Sequence, residues 1–427
     1  MKVLQLTGYF LPEKAASIYL TENRLEAFGK AGIDTVIWAS RPTRGLSDEE
    51  YEEYKHKKLE MLYDGKVTVK RFAMYREGRN PILRALRYSF NWIIQLWKGL
   101  MEKDVDVIYL ASTPPIQGML GALIKKFRGI PFVYNLQDIF PDSLFNNGLA
   151  NKGGLLWKIG RVIENFTYKN ADKIIVISED FKKNIMAKGV PEGKIVVVYN
   201  WVDQNAVVDI PRERNKLFDA YGLDRSKFYV TYNGNIGLSQ NLDMLLSVAE
   251  EFQSAKVQAF HGNEICCTDI HFVLVGNGAY LDEVKRIIAE KKLENVHLLP
   301  FQPYEDISHV FSLGDASLVI SKPGTGAASV PSKTWSIMSA SRPVLANFDE
   351  NELKQIVEKH HCGIFTKAGD NEAFKQSILA LYNNREMAVE MGKNGRQFVM
   401  DNLTREVGTQ KYVDVIKSVV AEAKKHG

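Results

Sequence analysis

Short runs of apolar side chains alternate along this chain with longer stretches whose apolar positions recur every three or four residues. The runs at 3–6, 35–39, 107–110, 132–135 and 173–177 are nearly continuous in apolar character, which predicts strands buried on both faces. Between them, segments such as 18–31 and 118–127 carry the period of a helix. Strand and helix in turn predict a parallel sheet with helices on both sides. The rhythm breaks near Val202, and residues 208–216 turn polar and charged, as a connector between domains does. It then restarts, with 228–232, 271–275, 296–299, 316–320, 343–346 and 363–366 reading as a second set of strands.

The expected fold class is therefore α/β, with two Rossmann-like doubly wound domains, residues 1–205 and 206–400, facing each other across a cleft. The length agrees, since 427 residues exceed one ordinary hydrophobic core. Lys and Arg number 55 against 51 Asp and Glu, a net charge of +4, too small for a general nucleic-acid binder. Three cysteines, two adjacent at Cys266 and Cys267, make neither a disulfide framework nor a zinc spacing, and fit a reducing cytoplasm. The opening MKVLQLTGYF runs straight into a strand pattern, and no eighteen-residue apolar stretch occurs, so neither export by a signal peptide nor a membrane span is expected.

Ligands of doubly wound sheets sit beyond the carboxyl ends of the strands, so the loops that follow strands carry the chemistry. After 316–320 comes SKPGTGAASVPSKTWSIM, a glycine-rich loop and a Pro331-Ser332-Lys333 helix start. Ser332 is expected to cap that helix, leaving first-turn N–H groups outward beside the Lys333 charge, an arrangement that would hold a diphosphate. After 228–232 comes NGNIGLSQN, in which Gly234 and Gly237 permit a sharp turn and Ser239 or Asn241 offers a cap. After 271–275, Gly276-Asn277-Gly278 leaves room for a flat or bulky ligand group. One glycine turn is usually steric; three within one domain converge on anion binding.

These stretches, with GYFLPE, NLQDIFPDSL, ADKIIVISEDF, VVVYNWVD, FVLVGNG, NVHLLPF and LGDASLVI, resemble the retaining sugar-nucleotide glycosyltransferases of family 4, which have the GT-B fold. The resemblance runs over nearly the whole chain and is specific in order and spacing. It implies a nucleotide diphosphate bound on the second domain, and a C-terminal helix within 401–427 that crosses back to the first. Gly234, Asn235 and Gly237 would line the sugar-phosphate side, Gly276, Asn277 and Gly278 the nucleoside, and Pro331, Ser332 and Lys333 the diphosphate and ribose. Lys333 is the first choice to neutralise the phosphates and Lys322 the second, with no metal and no cofactor besides the UDP-sugar donor. The alternative for Lys333 is a solvated first-turn lysine.

The chain departs from the family pattern where two glutamates are common: the matching positions are Ala328 and Ser336. Ser336 then offers a hydroxyl or is simply a small helix residue, and Glu350 and Glu352 are nearby acids that either compensate or favour a helix start. In the first domain, Asp138 is the catalytic candidate on the acceptor side, its alternative being a helix cap. Glu13 is a second acceptor-side candidate, although Ala15-Ala16 replaces the glycine pair that often follows it. Similar proteins build capsule or O-antigen on polyprenyl-diphosphate lipid, several from UDP-activated N-acetylated sugars.

From 76 to 130 there are nine Lys/Arg against four Asp/Glu, and 82–101 mixes basic with aromatic and aliphatic residues. That segment reads as a helix lying on the inner leaflet of a membrane, which makes a cytoplasmic, peripherally attached protein, or as a helix packed on its own sheet. The activity implied is hexosyl transfer with retention to a lipid-linked or saccharide hydroxyl. Competing readings are a UDP-sugar 2-epimerase of the same fold and a catalytically silent GT-B scaffold. A nicotinamide dehydrogenase lacks its glycine fingerprint here, where Thr7-Gly8-Tyr9-Phe10 follows the first strand.

Overall fold

Runs buried on both faces can only be satisfied inside a sheet that is covered twice, and the chain builds two of these. The computed structural model describes residues 1–13, 18–43, 46–75, 81–114, 116–142, 153–255, 257–326 and 330–426. Ala15-Ala16 and Ala328 lie outside them. One compact unit comprises Met1–Asn200 with the stretch from Glu406 onward, and the other Trp201–Arg405.

The first unit's strands among the described residues are β1 (Lys2–Thr7), β2 (Asp34–Ser40), β3 (Leu59–Leu62), β4 (Val67–Phe72), β5 (Val107–Ala111), β6 (Phe132–Leu136), β7 (Lys173–Val176) and β8 (Ile195–Val197). They lie in the order β3-β4-β2-β1-β5-β6-β7-β8, parallel except for β3 against β4. Strand β6 is buried at every position. On one face Leu4, Leu6, Ile108, Leu110 and Phe132 pack under helices. The helix Gln117–Arg128 stops where Gly129 takes a left-handed φ of 71° and donates its N–H to Lys125 O.

The second unit holds β9 (Phe228–Asn233), β10 (Val257–Phe260), β11 (Asn263–Cys266), β12 (Ile270–Val275), β13 (Val296–Leu299), β14 (Ala316–Ile320), β15 (Val344–Phe348) and β16 (Gly363–Lys367). Its main sheet is wholly parallel in the order β13-β12-β9-β14-β15-β16, which puts β9 and β14 side by side at the centre. Alternate residues of β9 feed opposite cores: Phe228, Val230 and Tyr232 one, Tyr229 the other. The polar segment 208–216 is no free linker. Val208 and Ile210 donate to the Ser308 and Ser312 hydroxyls, and Asn215 is fully buried, so this stretch is laid along the second unit.

Candidate active site

The carboxyl ends of β9, β12 and β14 carry three loops that are bonded to one another. Gly234 donates to Val275 O and Ile236 to Asn277 O, each at 2.9 Å, while Lys322 donates to Ser239 O at 2.7 Å. Gly276 has φ 154°, and a Cβ there would lie 1.9 Å from Gly234 O; one on Gly278 would lie 2.2 Å from Ile236 O. The space next to these two glycines is therefore filled by the neighbouring loop's backbone, and it is loop-to-loop contact that demands glycine here. Asn235 and Asn277 are exposed at the rim, with Asn235 O accepting from the buried Tyr232 hydroxyl at 2.7 Å.

The loop after β14 is pinned from two sides. Asp349, just beyond β15, accepts from Gly324 N at 2.9 Å and Gly326 N at 2.7 Å, and Ser239 O accepts from Thr325 Oγ1 on the other side. Lys322 is half-exposed, 3.9 Å from Asp243 Oδ2, whose other oxygen takes the Tyr280 hydroxyl at 2.6 Å. Its charge is already balanced.

Lys333 differs. Its side chain is only partly covered as a whole, yet Nζ is out of solvent, has no hydrogen-bond partner among the described residues, and stands 3.8 Å from the centre of the Tyr232 ring. Burial pushes its ammonium down to about 7, because the charged form has lost its hydration. The ring face recovers only part of that loss. In the loops beyond these strands and on the helix of Lys333, the Asn233 amide at the end of β9, Ser321 Oγ beyond β14, Gln240 Oε1 and Thr334 Oγ1 are also buried without partners among the described residues. Burying unpaired groups is costly, and those at the ends of these strands mark a candidate ligand site.

Ser332 does not cap as expected. Its backbone is already helical (φ −58°, ψ −29°), so its hydroxyl makes no capping bond, and the helix Lys333–Ser339 is only seven residues long. The Thr334 and Trp335 N–H groups are spent on Pro331 O and Ser332 O. The side chain of Lys333, rather than a row of free amides, carries the positive potential. Ser336 is half-buried on this helix and its carbonyl accepts from Ala340 N. Glu350 is ion-paired with Lys354 at 2.8 Å, and Glu352 is the buried first residue of the helix Glu352–Lys359.

In the first unit, Asp138 is exposed just past β6, and Ser112 Oγ accepts from both the Gln137 and Asp138 N–H groups at 3.0 and 3.1 Å. Asn135 bonds Tyr109, Gln137 and Tyr412, and Gln137 Oε1 accepts from Asn200, so the loop that carries Asp138 has a fixed base. Glu13 is a structural tie instead of a free acid. It is 3% exposed, and its oxygens accept from Phe10 N at 3.2 Å and Thr43 N at 2.9 Å.

Asn233, Ser321 and Asp349 escaped the sequence reading. The available signal was a polar residue exactly where each buried strand ends.

Residues 20–206 match the model of Glycosyltransferase Family 4, and residues 213–398 that of Glycosyl transferases group 1. A Pseudomonas aeruginosa protein named glycosyltransferase WbjE is 22% identical over 83% of this chain and 85% of its own. The Escherichia coli protein named colanic acid biosynthesis glycosyl transferase WcaI is 25% identical, over 84% of this chain and 86% of its own. The crystal structure of Anabaena HepE in complex with UDP gives a TM-score of 0.67 at 16% identity, covering 98% of this chain and 100% of that one, a likeness of fold. With the two family models in tandem over most of its length, the chain belongs to the family 4 glycosyltransferases of GT-B fold.

Proposed function

We propose that the chain transfers an N-acetylated sugar from a UDP-sugar, with retention at the anomeric carbon, to a hydroxyl of a polyprenyl-diphosphate-linked saccharide during cell-surface polysaccharide synthesis. The observation that carries this reading is the buried, unpartnered Lys333 ammonium at the carboxyl ends of β9 and β14. A diphosphate is the ligand that repays its lost hydration. The leaving group gains negative charge as the glycosidic bond breaks, so a cation held in place beforehand binds the transition state better than the ground state. Lys333 supplies this charge without a metal. Lys322 lies at the rim, and Gly234, Asn235, Gly237 and the Gly276–Gly278 turn form the wall. Asp138 has an exposed carboxylate on a fixed loop, which suits it to orient the acceptor hydroxyl and take its proton. The UDP in the HepE structure and the colanic acid name of WcaI support the donor and the pathway class.

The test is UDP release from a panel of UDP-sugars with and without saccharide acceptors. Acceptor-dependent release is expected, and Lys333→Ala should lower kcat by about a hundredfold, as loss of one oxyanion donor does. Unchanged turnover in that variant removes lysine from the mechanism. Conversion of the UDP-sugar with no acceptor present would move the reading to a 2-epimerase.

A further inference from the structure

The helix Pro81–Met101 packs Trp92, Leu96 and Leu100 on the core of the first unit, adds polar bonds to it, and is apolar on its outer side too. Inward, Arg87, Asn91 and Gln95 are buried; Gln95 donates to Thr7 O at 2.7 Å, and Arg87 to Thr43 Oγ1 at 3.1 Å. Outward, Leu86, Phe90, Ile93, Trp97 and Met101 form one stripe at helical spacing, each between 47% and 60% exposed. The helix is thus held to its sheet by both apolar packing and polar bonds, and still shows a row of hydrocarbon to the solvent.

A second helix repeats the pattern. On Leu155–Asn170, the residues Leu155, Leu156, Ile159 and Val162 are 77%, 52%, 49% and 68% exposed. The helix Gln117–Arg128 packs against both, and Phe127 near its end is 70% exposed. Rows of exposed apolar side chains on neighbouring helices mark a docking surface.

Charge selects the occupant. The three helices carry nine Lys/Arg and one acid, Glu164, in a chain whose totals are 55 and 51. Glu164 is buried and bonded to Tyr168 and Lys188. A second copy would set nine cations against nine, and a nucleic acid offers nothing for the aliphatic rows. An anionic bilayer satisfies both features: apolar stripes enter the acyl boundary while the exposed Lys126 and Lys158 reach phosphate. Among the described residues no helix is long and apolar enough to cross a membrane, so the contact lies in the interface plane.

We propose that the helices Pro81–Met101 and Leu155–Asn170 together form a membrane-docking face that seats the first unit on anionic lipid. The inference holds whichever sugar is transferred, and its failure leaves donor chemistry untouched. The full chain is sedimented with phosphatidylcholine vesicles with and without phosphatidylglycerol, over a range of salt. Binding is expected only with phosphatidylglycerol and should weaken as salt rises. Ile93→Glu with Val162→Glu, both at exposed positions, should lower the bound-to-free ratio by more than about tenfold with UDP affinity and melting unchanged. Lys126→Glu with Lys158→Glu should do the same through charge alone. Failure of the wild type to bind at low salt, or equal binding by both double variants, overturns the proposal. So does a wild-type dimer that Ile93→Glu dissociates, which would give the face to a second copy.

Discussion

A donor diphosphate held by Lys333 would couple proton and substrate through one side chain. Its folded-state value of about 7 lies below the ~10.4 of a free lysine, so between those limits the unfolded chain binds more protons and stability rises with pH. Below about 7 both states are charged and the penalty of burial is fully present. A bound diphosphate reverses the balance, because its charge favours the ammonium and donor binding then takes up a proton. The affinity for a UDP-sugar should accordingly be flat below pH ~7 and weaken by up to tenfold per unit above it, until the bound lysine itself titrates. A UDP-sugar is the right probe, since UDP has a terminal phosphate of its own that titrates near ~6. Titration calorimetry across pH measures this directly. Lys333→Met should bind more weakly at every pH and show no slope, and a slope that survives in that variant assigns the proton elsewhere. Such behaviour follows from the position of one nitrogen.

At the level of strands and loops, the three glycine-bearing turns act as one cooperative piece. Gly276→Ala would drive a Cβ to within 1.9 Å of Gly234 O at a φ of 154°, and neither loop can yield without breaking the Gly234-to-Val275 bond. Strain of about 1–3 kcal/mol is expected from the backbone alone, with UDP affinity falling by more than tenfold as the loops part. Gly193→Ala meets open space and should leave both melting and affinity unchanged. Differential scanning fluorimetry with and without UDP reads both quantities, and wild-type affinity in Gly276→Ala would dissolve the link between loop packing and binding. The same elements mark what the sequence could reveal. Strands buried on both faces, such as β9, β14 and β15, were plain from their runs, because solvent touches neither side. Strands β3 and β10 were missed because they alternate with solvent: Leu59 and Met61 are 58% and 63% exposed, and the β10–β11 hairpin turns through His261-Gly262 at positive φ without an apolar run. The glycine-rich stretch around Lys333 marks that lysine as a candidate from the sequence alone. Asn233 carries no such mark, since an amide at the end of a buried strand draws notice only when the partners it lacks among the described residues are counted.

On the scale of the whole chain, the last helix completes a core begun at the first residue. The helix Arg405–His426 buries Tyr412, Val413, Ile416, Val419 and Val420, and from Glu406 on it belongs to the unit that starts at Met1. The Tyr412 hydroxyl reaches Asn135 Oδ1 at 3.1 Å, and its ring meets Tyr109 edge-on at 6.2 Å. Five buried apolar side chains at about 1.5–3 kcal/mol each contribute on the order of 10 kcal/mol, as much as the entire stability of an ordinary domain. A chain ending at Arg405 should therefore lose the folding transition of the first unit while the second still melts cooperatively and is still stabilised by UDP, by about 2.7 kcal/mol at a hundred times its Kd. Calorimetry of the truncated and full chains separates the two transitions, and a truncated chain that keeps both would show that the helix is dispensable. Tyr412→Phe is the milder arm. It removes the buried hydroxyl that reaches Asn135 at the base of the Asp138 loop, a loss of about 1–3 kcal/mol, and should lower the first transition alone with UDP affinity untouched. The split follows from the topology, because the candidate donor loops hang from a sheet whose strands run only from Phe228 to Lys367, whereas the last helix from Glu406 on belongs to the other unit.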